Sequence, residues 1–85
     1  MAVQLTQYSA EELAQRGQEI YERDIRSKVE ADNFGKVVAI DVRTGEYELG
    51  EDAITTTSRL RLRHPEAEIW LVRVGHLTYR YIRRS

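Results

Sequence analysis

The sequence predicts an α+β fold of order αββαββ, in which a four-stranded antiparallel sheet carries a long N-terminal helix and one inserted helix. Two runs of strand length, 36–42 and 68–74, are rich in β-branched and aromatic residues. Both runs are apolar at odd and even positions alike, whereas a strand with one wet face alternates. We therefore expect these two runs to be the inner strands of the sheet.

Each inner strand is followed by a candidate outer strand, 46–49 in the first half of the chain and 77–83 in the second. The turn at 43–45 ends in a glycine, as a tight hairpin requires. If the inserted helix returns the chain to the starting edge, the strand order is 2-1-3-4 and both apolar strands are central. The sequence thus predicts a single small domain over 1–85, with the sheet and inserted helix spanning 36–83.

The long N-terminal helix is predicted over 10–28. Ser9 and Glu12 form a capping-box pattern, and Tyr8 and Leu13 occupy the flanking staple positions. One face of this helix carries a thin apolar stripe with an acid in it: Leu13, Gly17, Ile20, Tyr21, Asp24 and Ile25. We expect this helix, or a partner, to cover the sheet face that carries Val37, Ala39, Ile69 and Leu71.

The segment 51–64 carries conflicting signals. The threonines at 55–57 and the alternation at 59–63 favour a strand. Acids at 51–52 suit a helix N-terminus, and Pro65 suits the position just after a helix end. Residues 53, 57, 60 and 64 also keep helical spacing, so we predict a helix that places Leu60 over one sheet face.

Composition excludes several kinds of site. The chain contains no cysteine, which rules out disulfides, thiolate metal sites and a cysteine nucleophile, and fits a cytoplasmic protein. No apolar run approaches a membrane span, and residues 1–6 lack a signal-peptide pattern. The five glycines are isolated from one another, so no phosphate-binding loop is expected.

Charge is unevenly distributed along the chain. From Arg59 onward there are seven arginines and two glutamates, whereas acids outnumber bases in 1–42. A basic third attracts phosphates, or pairs with the acidic third of the same chain or of a second copy. Pairing within the protein needs no ligand, and we favour it on that ground.

Candidate catalytic and metal-binding residues are few. His64, Glu66 and Glu68, with His76, offer imidazole and carboxylate ligands, but their spacing is not diagnostic of a metal site. His64 is equally explained as the last residue of a helix, next to its negative end. Ser9 is explained as a helix cap rather than a nucleophile. We therefore predict no catalytic, metal or cofactor site, and a protein that is not an enzyme.

The last predicted strand is the candidate binding surface, because it interleaves aromatic and cationic side chains. Aromatic rings stack on unpaired bases and arginines neutralise phosphates, which is the chemistry of single-stranded nucleic-acid binding. An edge strand whose arginines prevent aggregation has the same composition. The residues concerned are Arg73, His76, Tyr79, Arg80, Tyr81, Arg83 and Arg84.

Residues 20–26, 35–49 and 64–75 resemble a group of small uncharacterised bacterial proteins, frequent in cyanobacteria, with a hairpin-helix-hairpin core. The resemblance implies this fold and a bacterial origin, and it carries no established activity. Residues 72–76 and 79–81 are also similar to the closing strand of RelE-type ribonuclease toxins. That second likeness covers only a short stretch, and a helix here interrupts the strands.

These observations favour a non-enzymatic protein–protein interaction module that acts as a subunit or an antitoxin-like regulator of a bacterial complex. The partner is another protein or a second copy in a homodimer, with no membrane and no cofactor involved. The alternative is an RNA-binding protein or RelE-type ribonuclease that uses the basic, aromatic C-terminal strand.

Overall fold

The structure, a computed structural model, describes residues 8–75. The first helix consists of α1 (Ala10–Ile20), a π-helical segment (Tyr21–Ile25) and α2 (Arg26–Val29) in one continuous run. It is followed by β1 (Val37–Asp41), β2 (Tyr47–Gly50), α3 (Ala53–Arg63) and β3 (Ile69–Arg73). The α+β class, the capped first helix and the helical assignment of α3 are confirmed. The predicted fourth strand, 77–83, lies outside the described residues.

The described sheet has three antiparallel strands in the order β2-β1-β3. Ala39 at the centre of β1 lies opposite Glu48 on one side and Leu71 on the other. All five residues of β1 are buried, as its doubly apolar sequence predicts. A central strand of this kind needs a covering layer on each face of the sheet.

The first helix covers the sheet face of Val38, Ile40, Trp70 and Val72, which we call the first-helix face. The opposite face carries Ala39, Ile69, Leu71 and Arg73 and is called the α3 face, because Leu60 of α3 packs there. Of the two covers expected for the latter face, the first helix or a partner, the structure thus excludes the first helix. The first-helix face forms the main core, in which Ile40 and Trp70 pack with the buried side chains of the helix.

The π-helical segment explains how a stripe containing an acid can face the core. A π turn holds an extra residue, so every side chain after it rotates backward around the helix axis. In an uninterrupted α-helix Asp24 and Lys28 would follow Ile20 on the buried side. Here Asp24 and Lys28 are exposed instead, while Ile25 and Val29 are buried at 1% and 4% exposure. The π turn thus places Ile25 and Val29 on the buried side of the helix, where Asp24 and Lys28 would otherwise lie.

Gly17 allows α1 to approach the sheet closely. A Cβ atom at this position would overlap the Cβ and ring atoms of Trp70 in β3. Gly17 is buried, and the Trp70 side chain fills the space beside it. The glycine is therefore a packing residue, despite the cost of about 1 kcal/mol that glycine carries inside a helix.

The start of α3 is stabilised by side-chain hydrogen bonds that offset its threonine-rich composition. Asp52 is the N-cap, and its carboxylate accepts a hydrogen bond from the Thr55 N–H at 2.8 Å. This bond holds the pKa of Asp52 below its usual value. The Thr56 hydroxyl donates to the Asp52 carbonyl, and the Thr56 side chain is fully buried against Gly50. From this start α3 packs mainly against β1 and β2.

We expect substitutions at the adjacent residues Asp24 and Ile25 to have unequal effects on stability, because the π turn places only Ile25 in the core. Ile25→Ala should lower the free energy of unfolding by about 2–5 kcal/mol, because it empties a fully buried site. Asp24→Ala should change it far less, because Asp24 is an exposed partner of Arg23. Urea denaturation of both variants measures the difference. Similar losses at the two positions would show that the helix is α-helical throughout and presents Asp24 to the core.

Candidate interaction surface

The outer edge of β2 is closed by two arginines of α3. Asp41 of β1 donates its N–H to the Glu46 carbonyl, so alternation directs the carbonyls of Tyr47 and Leu49 away from the sheet. Arg63 donates to the Tyr47 carbonyl at 3.0 Å, and Arg59 donates to the Leu49 carbonyl at 3.3 Å. These two contacts, which we call the arginine clamp, occupy the acceptors that an incoming strand would use.

The clamp also accounts for much of the positive charge of α3. Arg63 forms ion pairs with Glu46 at 3.2 Å and Glu48 at 2.9 Å. Pairing of basic residues within the chain was expected, but these carboxylates belong to the β2 hairpin rather than to the acidic N-terminal third. Two of the arginines that gave the C-terminal third its basic character are therefore bound to the neighbouring strand.

The outer edge of β3 has a different environment. The Val42 N–H donates to Glu68, and the Val74 N–H donates to Lys36, so the even-numbered residues direct their backbone groups toward β1. Ile69, Leu71 and Arg73 therefore direct their N–H and carbonyl groups away from β1. No arginine from α3 reaches these groups within residues 8–75. Of the two described edges, only that of β2 is closed by side chains.

The α3 face is covered over β1 and β2 but incompletely over β3. Leu71 is 37% exposed and Arg73 is exposed, whereas their partners in β1, Ala39 and Val37, are buried. Because α3 packs mainly on β1 and β2, the surface of β3 extends beyond the helix. From the sequence, this face was expected to be covered by the first helix or by a partner, and the structure leaves Leu71 partly exposed there.

The flank of α3 that adjoins β3 can be assigned from the clamp. Arg59 and Arg63 contact β2, and Leu60 points into the sheet. With 3.6 residues per turn, Thr57 and Arg61 lie on the opposite flank, toward β3, and Ile54 lies two turns before Arg61. Ile54 is 80% exposed, and Arg61 is exposed as well. We call the surface formed by Ile54, Thr57, Arg61, Leu71 and Arg73 the open strip.

The candidate residues predicted from sequence fall mostly outside the described range. Arg73 lies in β3, where its guanidinium donates to the Gly35 carbonyl at 2.8 Å. The remaining six lie outside the described residues: His76, Tyr79, Arg80, Tyr81, Arg83 and Arg84.

The predicted turn after β1 contains the one buried acid of the described core. Asp41 accepts hydrogen bonds from the Arg43 N–H, the Thr44 hydroxyl and the Glu68 N–H. These bonds hold the hairpin and fix the approach to β3. The carboxylate is therefore explained by the turn, and the Asp followed by Thr and Gly is a recognisable turn signal.

His64 and Glu66 lie beside this turn in a cleft of about 270 Å³. The His64 N–H donates to the Leu60 carbonyl as the C-cap of α3, which is the helix-end role considered for it. Among residues 8–75, no three His, Asp or Glu side chains are grouped closely enough to hold a metal ion. Over the same range, no helix combines the length and apolar character that crossing a membrane requires.

The outward surface of the first helix is a set of solvated ion pairs. Arg26 lies between Glu22 at 2.8 Å and Glu30 at 3.1 Å, and Arg23 pairs with Asp24. Exposed pairs of this kind are worth at most about 1 kcal/mol each and mark a wet face. The helix therefore presents no apolar surface outward comparable to the open strip.

Comparisons with protein-family models, with curated proteins and with solved structures found no match to this chain. Conclusions about function therefore depend on the residues and their arrangement.

We expect the arginines of α3 to differ in their contribution to stability, because only Arg59 and Arg63 form the arginine clamp. The double variant Arg59→Ala with Arg63→Ala should lower the free energy of unfolding by about 1–2 kcal/mol and increase light scattering on heating, since it exposes an unpaired edge. Arg61→Ala, on the opposite flank of α3, is the matched control and should change stability by less than about 0.5 kcal/mol. Equal behaviour of the two proteins would show that the clamp does not protect β2.

Proposed function

We propose that the protein is a non-enzymatic protein–protein interaction module whose docking surface is the open strip. The observation that carries the proposal is the incomplete cover of β3 on the α3 face, where Leu71 is 37% exposed beside a fully buried Ala39. Apolar surface on a sheet is usually covered by another layer, and an uncovered region rimmed by polar residues is characteristic of interaction sites. The occupant is another protein or a second copy of this chain.

The difference between the two sheet edges supports this assignment. The clamp closes β2, so association through that side would require two arginines to be displaced. Docking on the side of β3 does not displace the arginines of the clamp. The protein is thus built to associate from one direction, which fits a subunit of a defined complex better than a surface that binds at random.

We further propose that residues 77–83 form a fourth strand at the outer edge of β3, which completes the order 2-1-3-4. Gly75 has a φ of +88°, a conformation that suits glycine at a chain reversal just after β3. The outward backbone groups of Ile69, Leu71 and Arg73 would supply its hydrogen bonds. This strand would widen the α3 face next to the open strip.

The biological setting that we propose is a subunit or an antitoxin-like regulator in a cytoplasmic bacterial complex. Its support is the resemblance of residues 20–26, 35–49 and 64–75 to small cyanobacterial proteins. A two-fold homodimer, the commonest soluble assembly, is the form that the complex takes if the occupant is a second copy.

The proposed surface can be tested with two exposed leucines. Leu71→Glu should abolish co-purification of a partner protein from native cell extract, because it places a charge in the docking surface. If the occupant is a second copy, the same variant should have the mass of a monomer in sedimentation equilibrium. Leu62→Glu is the matched control, since Leu62 is 82% exposed on the outer side of α3 and should retain the partner. Unchanged thermal midpoints would show that both variants fold.

Retention of the same partner by Leu71→Glu would contradict the proposal. A fluorescence-polarisation titration with single-stranded RNA at two salt concentrations tests the other class of partner. Tight RNA binding that weakens steeply with salt, without a protein partner, would replace this proposal with the RNA-binding alternative.

A further inference from the structure

Building on the proposed function, we propose that the open strip binds an acidic amphipathic helix of another protein, which lies on the sheet beside α3. Three properties of the described surface define this occupant: the width of the uncovered sheet, its apolar centre and the arginines at its two sides.

β3 is the one described strand that α3 leaves partly uncovered, and a helix beside α3 would cover it. Neighbouring strands are about 4.8 Å apart, and a helix with its side chains is about 10 Å across, so one helix covers roughly two strands. α3 occupies β1 and β2, and β3 begins the next helix-width of the sheet. A second helix packed against α3 at the usual interaxial distance of about 8–10 Å would lie over β3. The α3 face then becomes a complete layer.

The centre of the strip is apolar and requires an apolar stripe on its occupant. Leu71 projects from β3, and Ile54 projects from the adjoining flank of α3. A helix lying between these two side chains must present apolar residues at the i, i+3, i+4 and i+7 positions to both. Thr57 lies on the same flank of α3 and is only half-buried, so a polar side chain can be accommodated near it.

The arginines at the two sides of the strip favour a partner that carries negative charge. Arg61 lies on the α3 side and Arg73 on the β3 side, and neither forms an ion pair with a carboxylate among residues 8–75. Arg73 instead donates to the Gly35 carbonyl, which fixes its position at the end of β3. Acidic residues flanking the apolar stripe of the incoming helix would pair with both arginines. Charges at such a rim set orientation and association rate.

Residues 76–85 and the described part of a second copy do not supply such a helix equally well. Residues 76–85 carry three arginines and no acid, so they lack the acidic flanks that Arg61 and Arg73 would pair with. The apolar side of the first helix is already buried against its own sheet through Ile20, Tyr21 and Ile25. A second copy would have to break that packing to offer the same helix. The chemistry of the strip therefore points to a different protein.

The experiment is a selection from a displayed library of helical peptides with randomised surface charge, using the full chain as the target. Peptides that bind the wild-type protein should carry leucine-rich stripes flanked by Asp or Glu, and should shift the amide resonances of Thr57, Arg61, Leu71 and Arg73. The double variant Arg61→Glu with Arg73→Glu should bind them about tenfold more weakly or worse. The same variant used as the target should select Lys- and Arg-flanked peptides instead.

A charge-matched control is Arg16→Glu with Arg23→Glu, which reverses two exposed arginines of the first helix and should bind the selected peptides as the wild type does. If the selected peptides bind the strip without a preference for acidic residues, the proposal of an acidic partner is wrong and the proposed interaction surface stands. Binding only at other surfaces would overturn both. A wild-type dimer that buries the strip, seen by sedimentation equilibrium and amide shifts on dilution, would assign the surface to a second copy and overturn the separate partner.

Discussion

The burial of β1 on both faces is the constraint from which the rest of the structure follows. A strand whose five residues are all buried requires packing above and below the sheet. The first helix supplies one layer along its whole length, with Trp70 and Ile40 in the same core. The other layer is the eleven-residue α3, which covers β1 and β2 and leaves β3 partly exposed. Both faces of β1 are thus covered completely, whereas one face of β3 is covered only in part.

Close helix–sheet contact is achieved by small residues and by one irregular turn. Gly17 admits the Trp70 side chain under α1, and Gly50 admits the Thr56 side chain under the start of α3. The π-helical segment turns Ile25 inward in place of Asp24. A π turn in a helix often marks a functional site, but here the change in packing gives it a sufficient structural reason.

Much of this fold could be predicted because local patterns encode it. The apolar run of β1, the capping box at Ser9 and the glycine after the first strand each specify a local conformation. Which helix covers which face could not be predicted, because both faces of β1 are apolar and either can accept a helix. The contact between Gly17 and Trp70 joins distant parts of the chain and leaves no periodic signal.

The site was harder to predict than the fold. Arg59 and Arg63 were expected to pair with acids of the N-terminal third or of a second copy, yet they bind backbone carbonyls of β2, and such acceptors have no sequence signature. For the face that carries Leu71, the sequence left open a cover by the first helix or by a partner, because an apolar residue in a strand is the same letter whether a helix covers it or not. Only the span of α3 relative to the sheet shows that it is exposed.

Thiol labelling can determine whether one face of β3 is open while the other is closed. The chain has no cysteine, so a single introduced cysteine reports on its own position. Leu71→Cys and Val72→Cys place thiols on opposite faces of the same strand, at residues 37% and 3% exposed. We expect the first thiol to react readily with Ellman's reagent in the folded protein, and the second to be strongly protected. Equal protection of both thiols would contradict this expectation.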